Sequence, residues 1–375
     1  MTVRISAAMI VRDEAHHLEE CLASMDSLVD EVVVVDTGSV DGSAALATRL
    51  GARVSHLTWT GDFAAARNDA LTRCIGDWIL YIDADERVRA SAGTRERLDD
   101  PAVVAGLCRF QTKPNLTRYW EYRLFRNRPD IRYHGVIHET MVGDIQRIER
   151  DEGLVVMATP LEIDHLGYVG DQSHKHRRNR PLLEVQVQAD PDRSYLWFHL
   201  GQVRAAQGDR PGAEQAWRQG VAASRDRERA VRQDLLCYTE LTLSLVQRDD
   251  PETADLVSEA TRRFGPDEIL VRWIDANAQL AQGNWTAAEA QLTQLAAIDA
   301  DELVDEQLAY DRGIFGSLAW HGLGLCCFQQ GRYDEAAMWF ERAEVQAATD
   351  DGETGTDPEL RIKRVLAQRR ATSGR

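Results

Sequence analysis

Two carboxylates separated by a single residue follow a short apolar stretch in the N-terminal half of this 375-residue chain. Residues Trp78 to Ile82 are aromatic or aliphatic, which predicts a buried strand, and Asp83, Asp85 and Glu86 follow at once. Because acids are costly to bury without partners, these must lie at the exposed end of the strand. Loops gather ligands at the carboxyl edge of a parallel sheet, and carboxylates this close suit Mg²⁺ or Mn²⁺ held jointly with a phosphate.

Two other interpretations fit the Asp-x-Asp pattern taken alone. The acids could form a polar turn that caps the next helix. A strand ending in Asp-x-Asp also carries the nucleophile of haloacid-dehalogenase-like phosphatases. Against that family, Arg87 stands where it has a small hydroxyl residue, and two earlier predicted strands precede the motif. The sequence upstream of the motif is therefore needed to choose among these three interpretations.

The composition is that of a soluble globular protein, with 43% hydrophobic and 28% charged residues. A net charge of −17 argues against sequence-independent nucleic-acid binding, which needs an excess of cations. Six scattered cysteines without a Cys-x-x-Cys pair indicate a reducing compartment. No apolar run approaches membrane-spanning length, so the sequence predicts a cytoplasmic protein with no membrane span and no nucleic-acid partner.

Strands and helices alternate from Val3 to Asp85. Valine dominates the predicted strand Glu31–Val35, and such a run indicates burial on both faces, as in a parallel sheet covered by helices. Apolar spacing over His16–Met25 predicts a helix between this strand and the first one. The alternation indicates an α/β, doubly wound nucleotide-binding unit.

Polar residues follow the other predicted strands as well. Asp36 ends the valine strand and could accept a hydrogen bond from a base or a ribose, while Asp41 and Ser43 suit the cap of the next helix. Asp62 is a predicted helix cap. Arg67, in the second turn of that helix, is either a surface residue or a charge for a base or phosphate.

Four segments in this order resemble family 2 glycosyltransferases of the GT-A fold: Met9–Glu14, Val35–Ser43, Asp62–Asn68 and Ile82–Glu86. The chain departs from the family at Arg12-Asp13, where relatives commonly carry a lysine or arginine followed by Asn.

The resemblance implies a role for each matching residue. Asp36 would recognise the base of a nucleotide-sugar, Arg67 would lie beside the base or phosphates, and Asp83 would hold the ribose. Asp85 would bind the divalent metal, Mg²⁺ or Mn²⁺, that bridges the diphosphate. The same donor site would include Val11 and Ala84.

The pattern from Tyr122 to Glu139 is similar to the subgroup that is joined to helical repeats and includes peptide S-glycosyltransferases of the glycocin type. Inverting sugar transfer needs a base for the acceptor proton, and Glu139 is the first candidate, with His138 or Asp144 as substitutes. His138 and Glu139 could also be an ordinary polar pair at a strand end. The resemblance implies that His165 is a further metal ligand or a diphosphate contact.

Residues 174–180 are strongly basic and could cover the diphosphate as a lid, or form the solvated face of a helix. Beyond them the strand signals stop, and alanine-rich helical spacing matches the tetratricopeptide template. The best copies contain Trp197, Gly201 and Trp217, then Trp320 and Phe340. We therefore predict three regions: a GT-A domain over 1–180, a helical repeat domain over 181–349, and an acidic linker with a frayed helix over 350–375.

These patterns favour a metal-dependent glycosyltransferase that uses a nucleoside diphosphate-sugar. The family resemblance implies inversion at the sugar carbon, and UDP is the family's commonest carrier. The acceptor would be a peptide, a protein or a small molecule. The repeats would recruit the acceptor or build a homodimer. One alternative is a catalytically silent GT-A domain serving a repeat scaffold. A nucleotidyltransferase is less favoured, since it would need a glycine-rich basic loop where Arg12-Asp13-Glu14 stands.

Overall fold

The computed structural model describes residues 3–91, 93–167, 173–350 and 358–373. It divides into two units. The first unit contains residues 1–114, 118–189 and 304–309, and the second contains 115–117, 190–303 and 310–375. The sequence-based boundary after residue 180 thus lies nine residues before the end of the first unit's long segment, and 304–309 join the first unit rather than the repeats.

Half of the sheet in the first unit is parallel and alternates with helices, as the valine-rich pattern predicts. The elements are β1 (Ile5–Val11), α1 (Ala15–Met25), β2 (Glu31–Asp36), α2 (Ser43–Arg49), β3 (Arg53–His56), α3 (Phe63–Arg73) and β4 (Trp78–Tyr81). The strands of this half stand in the order β3-β2-β1-β4.

The other half of the sheet is mixed. Its elements are β5 (Glu86–Ala90), α4 (Thr94–Leu98), β6 (Val103–Gln111), β7 (Arg118–Arg126), α5 (Val142–Glu152), β8 (Val155–His165), α6 (Ser173–Ala189) and β9 (Val304–Asp305). The strand β7 joins this half to β4 in antiparallel orientation. The acids after β4 lead into β5 and do not cap a helix, because Glu86 and Val88 turn inward and β5 pairs with β8. The mixed α/β sheet confirms the predicted fold class.

Both faces of the parallel half are buried, which explains its apolar strands. In β1, Ala7 and Met9 enter one hydrophobic cluster, and Ala8 between them enters the cluster on the opposite face. Trp78 and Ile79 divide between the same two clusters. Because the sheet is covered on both sides, polar side chains concentrate at the strand ends.

The second unit is helical and confirms the predicted repeats. Its helices are α7 (Ser194–Ala206), α8 (Arg210–Arg225), α9 (Leu235–Val246), α10 (Glu252–Phe264), α11 (Ile269–Ala281), α12 (Trp285–Ala296), α13 (Ser317–Gln329), α14 (Tyr333–Asp350) and α15 (Pro358–Ser373). Short 3₁₀ helices span Arg232–Asp234 and Arg312–Phe315.

Small residues let the paired helices approach closely. A Cβ at Gly201 of α7 would lie 2.1 Å from the indole nitrogen of Trp217 on α8, and one at Gly324 of α13 would lie 2.5 Å from the Phe340 ring on α14. Within the described ranges, no helix has both the length and the apolar character needed to cross a bilayer.

Candidate active site

The carboxyl ends of β1, β2 and β4 lie side by side and bring together most of the predicted site residues. Val11, the last residue of β1, pairs with Asp36 at the end of β2. The chain after β4 continues along β1, where the amide of Ile82 donates to the carbonyl of Ala8 at 3.1 Å. Asp83 and Asp85 therefore begin the loop at the sheet edge that the sequence predicts for them.

Arg67 joins two acids that are far apart in sequence. From α3, its two terminal nitrogens donate to the two oxygens of Asp83 at 3.0 and 3.1 Å. Its Nε donates to Oε1 of Glu139 at 2.5 Å. The Arg67 side chain is 12% exposed and its guanidinium carbon lies 4.9 Å from the centre of the Tyr81 ring. The nucleotide-site candidate Asp83 and the base candidate Glu139 thus share one buried cation.

Asp85 faces His165 across the sheet edge. Oδ2 of Asp85 lies 3.3 Å from Nε2 of His165, and both side chains are largely buried. Burial favours the neutral form of each group, but the mutual hydrogen bond and charge outweigh it, so the pKa of Asp85 is lowered and that of His165 is raised. The two residues that sequence analysis grouped as metal ligands are therefore adjacent.

Gly167 leaves room for the Asp85 carboxylate. A Cβ at this position would lie 1.8 Å from Oδ2 of Asp85, so no other residue type fits without displacing that group. The carbonyl oxygen of Gly167 accepts from Nζ of Lys175 at 2.7 Å. The basic run 174–180 is thus part of α6. The positive charge of Lys175 in this run acts to lower the pKa values of Asp85 and Glu14.

A buried ion pair supports the loop between β4 and β5. Arg123 on β7 donates to both oxygens of Glu86 at 2.9 and 2.8 Å, and Glu86 also accepts from the amide of Asp83 at 2.9 Å. The guanidinium carbon of Arg123 lies 4.2 Å from the ring centres of both Tyr81 and Phe110. Arg123 therefore holds the backbone at Asp83 in place through Glu86. The sequence did not identify this contribution of Arg123.

Asp36 organises the loop after β2. Its carboxylate accepts from the amides of Gly38 and Ser39 at 3.2 to 3.3 Å and lies 3.2 Å from Nδ1 of His56. Although burial opposes its charge, these donors hold the pKa of Asp36 below its ordinary value. The side chain is 5% exposed, and the loop it shapes lies at the edge of the predicted nucleotide site.

Glu14 is the main acid that the sequence-based site omitted. Burial raises its pKa to about 7, and the neighbouring charge of Asp85 acts in the same direction. Glu14, His16 and His17 also bring one ligand atom each within 4.8 Å of one another, a spacing that could hold a cation. Glu14 lies in Met9–Glu14, one of the segments that carry the family resemblance. Its position shortly after β1, at the same sheet edge as the other acids, could have identified it as a site residue.

The structure also places the remaining predicted site residues His138, Asp144 and Ala84. His138 adopts a left-handed backbone conformation with φ of 49°, which is uncommon outside glycine. Asp144 accepts from the amide of Arg132 at 3.0 Å and lies 2.9 Å from Nε2 of His134, so it orders its own loop. Ala84 is 2% exposed.

Two family models match the chain. Glycosyl transferase family 2 matches residues 6–152, and a tetratricopeptide repeat model matches residues 275–351. The first match ends on α5 and includes every candidate site residue except His165. The second match begins within α11 and extends through α12, α13 and α14.

Curated relatives match parts of the chain. A TPR repeat-containing protein of Synechococcus elongatus is 39% identical over 248 residues, covering 64% of this chain and 61% of the relative. An uncharacterized glycosyltransferase of Rickettsia felis is 41% identical over 85 residues, 23% of this chain and 30% of that protein. The SPbeta prophage-derived glycosyltransferase SunS of Bacillus subtilis is 24% identical over 53% of this chain and 49% of its own length. The chain thus spans less than two thirds of each of these relatives.

Solved structures overlap with about half of the chain. Mannosyl-3-phosphoglycerate synthase from Rubrobacter xylanophilus has a TM-score of 0.36 at 17% identity, over 50% of this chain and 75% of that one. Glucosyl-3-phosphoglycerate synthase from Mycobacterium tuberculosis, in complex with Mn²⁺ and UDP-glucose, has a TM-score of 0.37 at 13% identity, over 49% and 78%. Residues 6–152 of this chain are thus similar to glycosyl transferase family 2, and residues 275–351 are similar to tetratricopeptide repeats.

Proposed function

We propose that the first unit transfers a sugar from a nucleoside diphosphate-sugar to an acceptor, with inversion at the sugar carbon. The observation that carries the proposal is the convergence of Asp83, Asp85, Arg67 and Glu139 at the carboxyl edge of the parallel strands. A site at this edge is where open α/β sheets bind nucleotides. The retained acids and their buried cation also argue against a catalytically silent domain.

The residues at Asp85 fit a divalent cation. Oδ2 of Asp85 and Nε2 of His165 are 3.3 Å apart, close to the separation of neighbouring ligands on one metal ion. An oxygen and an imidazole nitrogen together suit Mn²⁺ better than Mg²⁺, which prefers oxygen ligands alone. In this proposal Asp85 and His165 hold the cation, which would supply neutralising charge for the departing diphosphate.

The loops around that position would hold the nucleotide. Asp36 stays ionised and is the proposed acceptor for the base, with Val11 beside it on β1. Asp83 and the buried Ala84 would face the ribose. Arg67 would serve the nucleotide by fixing the carboxylate of Asp83 through two hydrogen bonds.

Glu139 is the proposed general base. Arg67 engages its Oε1, and in the described part of the chain no hydrogen bond to Oε2 is found, which leaves that oxygen for the acceptor proton. Its neighbour His138 has a left-handed backbone conformation, which fixes the orientation of the chain at Glu139. General base catalysis of this kind contributes roughly 10²- to 10⁴-fold to the rate.

The acceptor is proposed to be a peptide, a protein or a small molecule. SunS, which is named a glycosyltransferase, is similar to this chain across about half of its length. The repeats provide a helical stack of the kind that recruits a peptide or builds a homodimer. UDP is the proposed carrier on the basis of the family resemblance.

The test is calorimetric titration with nucleoside diphosphates and their sugars in Mn²⁺, Mg²⁺ or EDTA. We expect one nucleotide to bind only with the cation, and Asp85→Ala to lose that binding. Glu19→Ala removes an exposed acid from α1 and is the matched control, expected to bind as the unaltered protein does. Failure of the folded protein to bind any nucleotide would refute the proposed function.

A further inference from the structure

The last helix, α15, presents two different faces. On its inner face Leu360 and Ala367 are buried in a cluster with Phe340 of α14, so the helix is packed onto the repeats. A helix face that no other element covers is expected to be mainly polar. The outer face of α15 is different.

Three large aliphatic side chains lie on the outer face. Ile362 is 60% exposed, Val365 is 37% exposed and Leu366 is 48% exposed. Positions 362, 365 and 366 follow the three- and four-residue spacing that places side chains along one stripe of a helix. Among the described residues of the second unit, no other helix exposes three large aliphatic side chains in such a stripe.

Arginines flank this stripe. Arg361, Arg369 and Arg370 are exposed, and helical spacing puts each of them next to one of the three aliphatic residues. The helix carries five basic residues and one carboxylate, Glu359, in a chain whose net charge is −17. The helix therefore carries a local net charge of +4, five basic residues less one carboxylate, within an acidic chain.

The other basic side chains of the helix are engaged inside the unit. Lys363 pairs with Glu359 at 2.5 Å and lies 2.8 Å from Nε2 of His321. Arg364 pairs with Glu344 at 2.9 Å. Lys363 and Arg364 thus contribute to the packing of the helix.

We propose that the outer face of α15 docks onto an anionic lipid surface. Aliphatic side chains flanked by arginines match the interface of a bilayer, where the apolar groups enter the acyl boundary and the cations meet anionic headgroups. A second copy of this face is a poorer occupant, since a two-fold contact would set arginines against arginines. The proposal is independent of the sugar transfer proposed above.

Sedimentation of the full-length protein with large unilamellar vesicles tests the proposal. Vesicles of phosphatidylcholine alone are compared with vesicles containing 30 mol% phosphatidylglycerol, at low and high salt. We expect binding only to the anionic vesicles, and weaker binding at high salt because the attraction is screened.

Two variants divide the surface into its parts. Arg361→Gln/Arg369→Gln/Arg370→Gln should lower the partition coefficient by on the order of a hundredfold, since each cation near an anionic surface contributes roughly fivefold. Ile362→Ser/Leu366→Ser should lower it by at least about tenfold. The control Arg210→Gln/Arg229→Gln/Arg262→Gln removes the same number of exposed arginines elsewhere in the unit and should change binding by less than about threefold.

Three results would overturn the proposal. The unaltered protein could fail to sediment with anionic vesicles at low salt, or the control could lose as much binding as the arginine variant. The third is a concentration-dependent dimer in analytical ultracentrifugation that Ile362→Ser/Leu366→Ser dissociates, without vesicle binding, which would assign the surface to a second copy. Unchanged circular dichroism and urea midpoints would show that the exposed substitutions leave the fold intact.

Discussion

Arg67 is the residue on which the arrangement of the acids depends. Its three hydrogen bonds to Asp83 and Glu139 use the planar guanidinium, which a lysine could not reproduce. Replacing it would leave two carboxylates close together without their cation. The site is therefore held by a residue that need not touch the substrate.

We predict that Arg67→Met lowers the free energy of unfolding by about 3 to 5 kcal/mol and abolishes nucleotide binding, because it leaves largely buried charges unpaired. Arg73→Met is the control on the same helix. Its ion pair with Asp69 is solvent-exposed, so the loss should stay below about 1 kcal/mol. Urea unfolding measures both variants, and equal losses in the two would contradict the assigned role of Arg67.

Glu14 provides a prediction about pH. Burial and the charge of Asp85 raise its pKa from 4.5 to about 7 in the folded protein. Between these values the unfolded chain releases the proton while the folded protein keeps it, so this group lowers stability as the pH rises, up to a constant penalty above pH 7.

Glu14→Gln should therefore raise the free energy of unfolding, by about 1 to 2 kcal/mol above pH 7 after allowance for solvent screening of the half-buried carboxyl. The gain should shrink as the pH falls below 7, and it should vanish below about 4.5. Urea titrations without added cations, at several pH values, measure the difference. A gain that does not depend on pH would contradict the raised pKa.

At the scale of residues, the sequence predicts which side chains lie at the ends of strands. It does not predict which side chains from distant segments contact one another. Asp83 and Asp85 were predictable because an apolar strand precedes them, and the adjacent placement of Asp85 and His165 agrees with their grouping. The bond between Arg67 and Glu139 joins residues 72 positions apart, and no local pattern encodes it. Glu14 was overlooked because its raised pKa depends on burial and on the charges of Asp85, Asp83 and Asp41, which the packing of other segments supplies.

At the scale of elements, the predictions succeed where side-chain periodicity reflects burial. The valine strand and the repeat helices have such patterns, and both were confirmed. The strand β5 was not predicted, because its five residues contain three charged side chains and only pairing with β8 defines it. The glycines of the repeats were predictable because close helix packing demands them.

We predict that Gly201→Ala destabilises the helical unit by about 1 to 3 kcal/mol. The added Cβ would lie 2.1 Å from the Trp217 indole nitrogen in a packed interface, which forces a shift of the ring or the helix. Ala287→Ser, at an exposed position of α12, should change stability by only about 0.5 kcal/mol. Thermal unfolding compares them, and a neutral Gly201→Ala would show that the interface is loosely packed.

At the scale of the whole molecule, the two units interleave along the chain. Residues 304–309 follow the helices α7 to α12, yet they belong to the sheet unit, where β9 pairs with β7. The sequence could not predict this exchange, because a two-residue strand has no periodicity. Only the long repeat pattern was visible, and it suggested an uninterrupted helical domain.

This interleaving predicts that two buried residues six positions apart stabilise different units. Leu308 is 3% exposed and belongs to the sheet unit, whereas Ile314 is 5% exposed and belongs to the helical unit. Each truncation to alanine should cost about 2 to 5 kcal/mol through lost burial and the cavity left behind. Hydrogen exchange read by mass spectrometry should show faster amide exchange in β6, β7 and β8 for Leu308→Ala, and in α13 and α14 for Ile314→Ala. If Leu308→Ala instead accelerated exchange only in the helices, residues 304–309 would belong energetically to the repeats, as the sequence pattern had suggested.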